Sequence, residues 1–343
     1  MKAMFSIKKI LIAVGVFLLV LAGVFVYKAG RTITVIGQQN DSMWEETVSQ
    51  FPDIPEAEQN REDILLVGIR GVNDGDEGFG NGEYLADTIM IASFNKDNNK
   101  AALISIPRDL YVDIPNHGKE KINAAYAVGE SRYPGGGLQL MKAVVSIVSG
   151  VHVDHAIRVD FEGFQKIVDD MGGITIYRDT PFSESKQWAQ DGRDGQRYWK
   201  FTDAGWVFYV PAGSNQMNSD EALYYVRSRY STSDFDRMRR QHQVIEAIKS
   251  KALGMGVLSN PVKIFNILDT LGDNVRSDMS ISEMTDLVNL IRERNVQTFE
   301  KAYLEQNGDT GLLVSDKIDG MYVLLPKSGN YSEIHDMFRM IIQ

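Results

Sequence analysis

The sequence predicts an α/β sandwich with a largely buried sheet, tethered by an apolar N-terminal segment. Three observations carry this. Short β-branched runs occur at Ile64–Ile69, Thr88–Phe94, Ala101–Ile106, His155–Val159 and Ile174–Tyr177. Helical patterns alternate with them at Lys121–Ser131, Leu138–Ser149, Phe161–Met171, Asp220–Val226, Asp236–Leu253 and Ile281–Arg292. Strands alternating with helices favour a sheet covered on its faces, and near-continuous apolar runs favour strands buried on both sides. From Asp63 onward about 280 residues follow, enough for one large domain or one domain with an extension. Asn73–Asn81 is rich in Gly and Asp and reads as a loop, and the polar stretch Ser183–Asp203 reads as a surface insertion.

Lys2, Lys8 and Lys9 precede an uncharged apolar run, Ile10–Val26. That run is at the short end of the ~17–25 residues that span a bilayer. It is longer than the usual centre of a cleaved signal peptide, and no small-x-small site precedes Tyr27. The chain contains no cysteine, which excludes a lipoprotein signal, a disulfide scaffold and thiolate metal or redox chemistry. We expect residues 1–30 to form a cytoplasmic tail and an uncleaved transmembrane signal anchor in the plasma membrane. The acidic, Pro-containing residues 31–62 form a linker, and the main domain lies outside the cytoplasm.

The formal charge is −10, yet five arginines (Arg227, Arg229, Arg237, Arg239 and Arg240) crowd one window. Guanidinium groups are permanently charged planar forks suited to phosphate oxygens. If Asp234 caps a helix, Arg237, Arg240 and Gln241 share a face. If the segment before the turn is extended, Arg227 and Arg229 share a side. The window reads equally well as a clamp on a di- or polyphosphate or as a solvated, salt-bridged helix start with Asp234 and Asp236 as local partners. A compact cluster outside the cytoplasm argues against nucleic acid as the ligand.

Other motifs are weaker alone. In Ile106-Pro107-Arg108-Asp109, the proline stops a strand and leaves Arg108 at its end, where α/β sheets open ligand crevices. A salt bridge with Asp109 is the plain alternative. Lys121 and Asn123 begin a predicted helix and could reach an anion near its N-terminus. Asp87, opening a strand, could share Mg²⁺ with phosphate oxygens, and Asp74, Asp76, Glu77 and Glu83 could add ligands, although a solvated acidic loop is the plainer reading for most of these four. His152-Val153-Asp154-His155 resembles a metal site only superficially, because strand alternation separates Asp154 from His155. Gly135-Gly136-Gly137 lacks the lysine and hydroxyl of a P-loop.

The order of the pieces is more specific than any one of them. An anchor, Asp87-Thr88, Ile106-Pro107-Arg108-Asp109, Lys121-Ile122-Asn123-Ala124-Ala125-Tyr126, Val159-Asp160-Phe161-Glu162-Gly163-Phe164, Met171-Gly172-Gly173-Ile174 and Glu221-Ala222-Leu223 through Arg240-Gln241 follow in turn. This sequence resembles the LytR–CpsA–Psr family of cell-envelope glycopolymer transferases from about Asp63 to Ala252. The resemblance implies an α–β–α sandwich around a central mixed sheet, with residues 63–253 as the catalytic domain and 254–343 as an extension packed on it. It implies a polyprenyl-pyrophosphate-linked glycopolymer donor, a peptidoglycan sugar hydroxyl as acceptor, and Mg²⁺, or Mn²⁺ in its place, as cofactor. Arg108, Arg227, Arg229, Arg237, Arg240 and Gln241 would bind pyrophosphate with support from Lys121. Asp87 would hold the metal and Asp234 would orient an arginine, so that Arg108, Asp234 and Arg237 form the catalytic centre.

Two positions depart from the family pattern. Arg70 stands where members usually carry aspartate, and Leu85 where they usually carry arginine. Arg70 could restore the missing cation from the neighbouring strand end, and Asp74 or Asp76 the missing carboxylate. Two functions remain open: a phosphotransferase, with pyrophosphate hydrolysis when water replaces the acceptor, or a non-catalytic lipid-pyrophosphate-binding scaffold or regulator.

Overall fold

The computed structural model describes residues 51, 53–71, 82–98, 100–185, 197–203, 205–254, 274–280, 283, 299–306 and 311–343. The anchor, most of the linker, Asp74, Asp76 and nearly all of the predicted Ile281–Arg292 helix lie outside these residues. Among the described residues, no helix is long and apolar enough to cross a membrane.

The chain runs β1 (Arg61–Ile69), β2 (Ala86–Asn95), β3 (Ala101–Ser105), β4 (Tyr111–Ile114), β5 (Gly118–Lys121), α1 (Ala124–Arg132), α2 (Gly136–Ser149), β6 (His155–Val159) and α3 (Phe161–Asp170). It continues through β7 (Ile174–Arg178), β8 (Phe182–Glu184), β9 (Trp199–Thr202), β10 (Gly205–Val210), β11 (Gly213–Met217), α4 (Ser219–Arg227) and α5 (Asp234–Gly254). The C-terminal part holds β12 (Val275–Ser277), β13 (Phe299–Tyr303), β14 (Leu313–Ile318), β15 (Met321–Pro326) and α6 (Ser332–Met340).

Six strands form the central sheet in the order β12-β6-β1-β2-β3-β13. It is mixed: β1 pairs parallel with β6 and antiparallel with β2, while β13 lies parallel to β3. Alternation along each strand feeds two cores. On one face, Ile64, Met90, Phe94 and Ile157 pack with Ile167 of α3, Tyr225 of α4 and Val244 of α5. On the other, Leu65, Val67, Ile91 and Ile104 pack with Tyr126 of α1, Met141 and Val145 of α2, and Phe338 of α6. Both faces are therefore covered by helices, as the sequence predicts.

Three expectations change. The stretch from Lys121 is not helical: Lys121 ends β5, and α1 begins at Ala124. The described ends of the Ser183–Asp203 insertion are not merely surface, because they supply β8 and β9 of a small sheet ordered β8-β10-β9. Trp199 and Phe208 of that sheet are buried in the first core. The C-terminal ninety residues do more than pack on the domain through α6: they also provide both edge strands of the central sheet.

Two buried titratable groups pull stability in opposite directions with pH. Burial pulls His242 of α5 down from 6.5 to about 3, and its Nε2 lies 2.7 Å from Ser105 Oγ. Between those values the unfolded chain binds the proton and the folded protein does not, so stability rises with pH. Burial, together with the neighbouring Glu62 and Asp63 charges, raises Asp154 from 3.8 to about 7, although the Asp63 N–H it accepts at 2.8 Å opposes the shift. There the folded protein holds the proton that the unfolded chain has lost, and stability falls as pH climbs from 3.8 to about 7. Asp154→Asn, which keeps the acceptor, is expected to raise the urea midpoint above wild type at pH 7.5 and to match it near pH 4. His242→Gln is expected to lose most relative to wild type at pH 7.5 and least near pH 4. A parallel offset at both pH values would exclude these two groups as the source.

Candidate active site

The ends of β1, β2, β3 and β6 open onto one cleft of about 700 Å³. Six cations line it, Arg70, Arg108, Lys121, Arg227, Arg229 and Arg237, against the carboxylates Asp87, Asp109 and Glu120. An acidic protein thus concentrates positive charge in one concave place, the arrangement expected of an anion site.

Local backbone features aim these side chains. The β1–β2 register pairs Gly68 with Thr88 and Ile69 with Ala86, leaving Asp87 as the extra residue of a bulge. Bulges re-aim side chains, and this one points Asp87 at the Arg108 guanidinium, with which it forms an ion pair. Gly68 is required here, because a Cβ would meet Thr88 Cβ at 2.9 Å. Pro107 follows β3 and leaves Arg108 and Asp109 at its end. Lys121 reaches Asp109 at 2.7 Å across the β4–β5 hairpin base.

Ser233, not Asp234, caps α5. Its Oγ accepts from Asp236 N at 3.1 Å, and Asp236 Oδ2 accepts back from Ser233 N at 3.1 Å. Asp234, inside the helix, is thereby released to pair with Arg237 at 2.6 Å and to lie 3.6 Å from Arg108 Nε. The result is an alternating chain of charge, Asp87, Arg108, Asp234 and Arg237, closed by Arg237 Nη2 donating to Asp87 O at 3.2 Å. Burial works against the Asp87 anion, but the attraction of Arg108, Arg237 and Arg229 overcomes it and holds the carboxyl below its usual range. For Arg237, burial and then the repulsion of Arg108 lower the pKa, with Asp234 and Asp87 opposing. Guanidinium remains charged nonetheless.

Arg227 and Arg229 both line the cleft, although Arg227 closes helix α4 instead of sitting in an extended segment. The Arg227 guanidinium stacks 4.2 Å above the Phe161 ring, and Arg229 lies 5.4 Å from the Tyr230 ring. Gln241 and Arg70 also face the cleft. Arg240 does not line it. It is buried, donates to Tyr225 O at 3.0 Å, Thr232 Oγ1 at 3.1 Å and Ser228 O, and stacks on Phe182 at 4.5 Å. Its place is behind the α4–α5 turn that presents Arg227 and Arg229. Arg239 is also outside, paired with Asp236 and Glu305.

Sequence reasoning missed Glu184. Its buried carboxylate accepts from Tyr230 N at 2.9 Å, Ser231 N at 3.1 Å and Ser231 Oγ at 2.8 Å, fixing the same turn from β8. Nothing in its sequence neighbourhood marks it, since its partners lie 46 and 47 residues away.

A second cavity, about 120 Å³ and apolar, lies below the cleft between the sheet and helices α3, α4 and α5. Leu66, Met90, Ile157, Phe164, Val244 and Ile248 are among its walls. Thr88, Phe161, Val226 and Gln241 line both spaces. The two are therefore neighbours sharing one wall, cationic above and apolar below.

Among the described residues no three His, Asp or Glu side chains converge to hold a metal alone. That fits the divalent ion implied by the sequence only as a shared one: Mg²⁺ commonly takes one or two carboxylates and completes its shell with water and phosphate oxygens, and Asp87 offers a carboxylate at the cleft.

The fold and site define a protein of the LytR_cpsA_psr family, whose model matches residues 25–339; the chain belongs to that family. It is 33% identical over 257 residues to the polyisoprenyl-teichoic acid–peptidoglycan teichoic acid transferase TagU of Oceanobacillus iheyensis, covering 74% of this chain and 69% of the relative. Against TagT of Bacillus subtilis, with the same activity in its name, identity is 29%, covering 65% of this chain and 62% of the relative. Among solved structures, B. subtilis TagV superposes with a TM-score of 0.59 at 22% identity, covering 83% of this chain and 98% of that one. TagT bound to LI-WTA superposes with a TM-score of 0.57 at 23% identity, covering 84% and 94%. These likenesses establish a shared fold.

Arg240→Ala is expected to destabilise the protein by about 2–4 kcal/mol, because it strands the buried Tyr225 and Ser228 carbonyls. Arg229→Ala, at the cleft, is expected to change stability by no more than about 1 kcal/mol. Urea unfolding of both variants checks the contrast; equal losses would mean that Arg240 does not hold the turn.

Proposed function

We propose that this protein is a membrane-tethered phosphotransferase. It moves a glycopolymer of the teichoic acid class from a polyprenyl pyrophosphate carrier to a sugar hydroxyl of peptidoglycan, leaving a phosphodiester. The observation that carries this reading is the shared wall of the two cavities. A ligand with a polyanionic head and an apolar tail suits a cationic cleft joined to an apolar space, and a lipid pyrophosphate has that form. The apolar run Ile10–Val26 would hold the domain where such a carrier resides.

Phosphoryl transfer depends on charge neutralisation and in-line positioning more than on a protein nucleophile. Arg108, Arg227, Arg229 and Arg237 would bind the pyrophosphate oxygens, with Arg70, Lys121 and Gln241 beside them. Asp234 keeps Arg108 and Arg237 oriented. The acceptor oxygen bonds to the sugar-linked phosphorus as the bond from that phosphorus to the bridging oxygen breaks. Polyprenyl phosphate leaves with that oxygen and the bonding pair, and the hydroxyl proton goes to water. Asp87 would hold Mg²⁺, which when bound neutralises phosphate charge.

The full chain in detergent micelles, given a polyprenyl-pyrophosphate-linked glycan, a soluble peptidoglycan oligomer as acceptor and Mg²⁺, is expected to release polyprenyl phosphate in a reaction that a chelator stops and added Mg²⁺ restores. Arg108→Ala is expected to slow release about 10²–10³-fold. Donor binding without release under any divalent ion would instead support a scaffold that holds the lipid without chemistry.

A further inference from the structure

The transfer reaction needs a second ligand, which the cleft must receive beside the donor. Phe161 follows β6 and Arg108 follows β3, with β1 and β2 between them in the sheet. Three strand spacings separate these two walls by about 14 Å. Phe161, Val226, Thr88 and Gln241 are shared with the apolar cavity, whereas Arg108 lines the cleft alone. In-line displacement puts the incoming oxygen opposite the leaving group, so an acceptor approaches from the Arg108 wall.

That wall ends in the β14–β15 hairpin. Met321 lines the cleft. The hairpin turns on Asp319 and Gly320, both at positive φ (51° and 80°), the two-residue turn whose twist matches paired strands. It is fastened to the site by Leu324 N donating to Asp109 O at 2.9 Å and by a bridge between Leu324 and Leu110. Tyr322 projects from the same side of β15 as the buried Leu324, about 7 Å further along. It is 44% exposed and directly follows Met321, the hairpin residue that lines the cleft. Its hydroxyl donates to Gln306 Oε1 at 3.2 Å, and Gln306 Nε2 donates to Ser315 Oγ at 2.6 Å. Burial raises the phenol's pKa, and the negative charge of Asp109 and Asp234 raises it further.

We infer that Tyr322 and Gln306 form the acceptor shelf, binding a glycan strand so that one sugar hydroxyl reaches the cleft past Met321. The chemistry suits a saccharide: an exposed aromatic face covers the C–H face of a pyranose, and a neighbouring amide both donates to and accepts from its hydroxyls. This assignment rests on the phosphotransferase reading and adds the residues that choose the acceptor.

The test uses the full chain in micelles with the lipid-linked donor and a soluble, uncrosslinked peptidoglycan glycan oligomer. Tyr322→Ala and Gln306→Ala are each expected to raise the KM for the oligomer about tenfold, the loss of roughly 1.4 kcal/mol of binding. The donor KM is expected to stay within about twofold in both, a split that general unfolding does not produce. Tyr322→Phe keeps the ring and is expected to stay within about threefold of wild type for the oligomer. Unchanged oligomer KM in both alanine variants, with wild-type transfer intact, overturns the shelf. Absence of any transfer by the wild-type protein overturns the phosphotransferase reading instead.

Discussion

The alternating ion chain through Asp87, Arg108, Asp234 and Arg237 is the constraint around which the site is built. Two guanidinium groups largely removed from water and close together repel each other, and burial adds to the cost. The two carboxylates interleaved between them offset both terms. They also fix the forks in place before any ligand arrives, so little ordering is needed at binding. Every neighbouring feature serves this arrangement. The bulge in β2 turns Asp87 inward, Pro107 ends β3 beside it, and the Ser233 cap lets Asp234 pair with two arginines instead of with its own helix end.

Behind the chain, a second buried device supports the turn that delivers Arg227 and Arg229. Arg240 holds it from inside through backbone carbonyls, and Glu184 holds it from outside through backbone amides. One cation and one anion, each spent on the backbone, fix a loop that would otherwise carry two mobile cationic side chains. Positioning is what phosphoryl transfer asks of a protein, and the stiffness of this loop connects packing to chemistry. The small β8-β10-β9 sheet thereby has a role in the site although none of its side chains lines the cleft.

Much of this was legible in the sequence. The strand His155–Val159 falls where alternation and β-branching place it, and the five predicted helices that fall on described residues are displaced by at most three residues at either end. Asp87, Arg108, Arg227, Arg229, Arg237 and Gln241 meet at one cleft, and several of them sit beside a turn residue or helix boundary that the sequence marks. What was not legible depends on distant pairs. Arg240 and Arg237 look alike on a helical face, and only the fold shows that one faces the carbonyls of a turn and the other faces the cleft. Lys121 carries an anion-binding signal at a predicted helix start, but it closes a hairpin whose left-handed residues, Asn116 and Gly118, are a weaker mark than the apolar periodicity that follows. Glu184 has no local signature at all.

The two departures from the family pattern become one physical change when placed on the sheet. Arg70 follows Ile69 at the end of β1, and Leu85 precedes Ala86 at the start of β2, while Ile69 and Ala86 are register partners. The two positions are thus neighbours across one antiparallel pair, where opposite Cα atoms lie about 4.5–5.5 Å apart. Both line the same cleft. A guanidinium carried on a flexible stem spans such a distance, so a cation transferred from the second strand to the first still reaches the same space. The displaced carboxylate is a different matter. With arginine at position 70, the cleft carries positive charge where the family pattern has negative charge, and among the described residues of the β1–β2 end Asp87 is the carboxylate that lines it. The cleft of this protein therefore offers an anion more guanidinium and less opposing carboxylate at this strand end than the family pattern does.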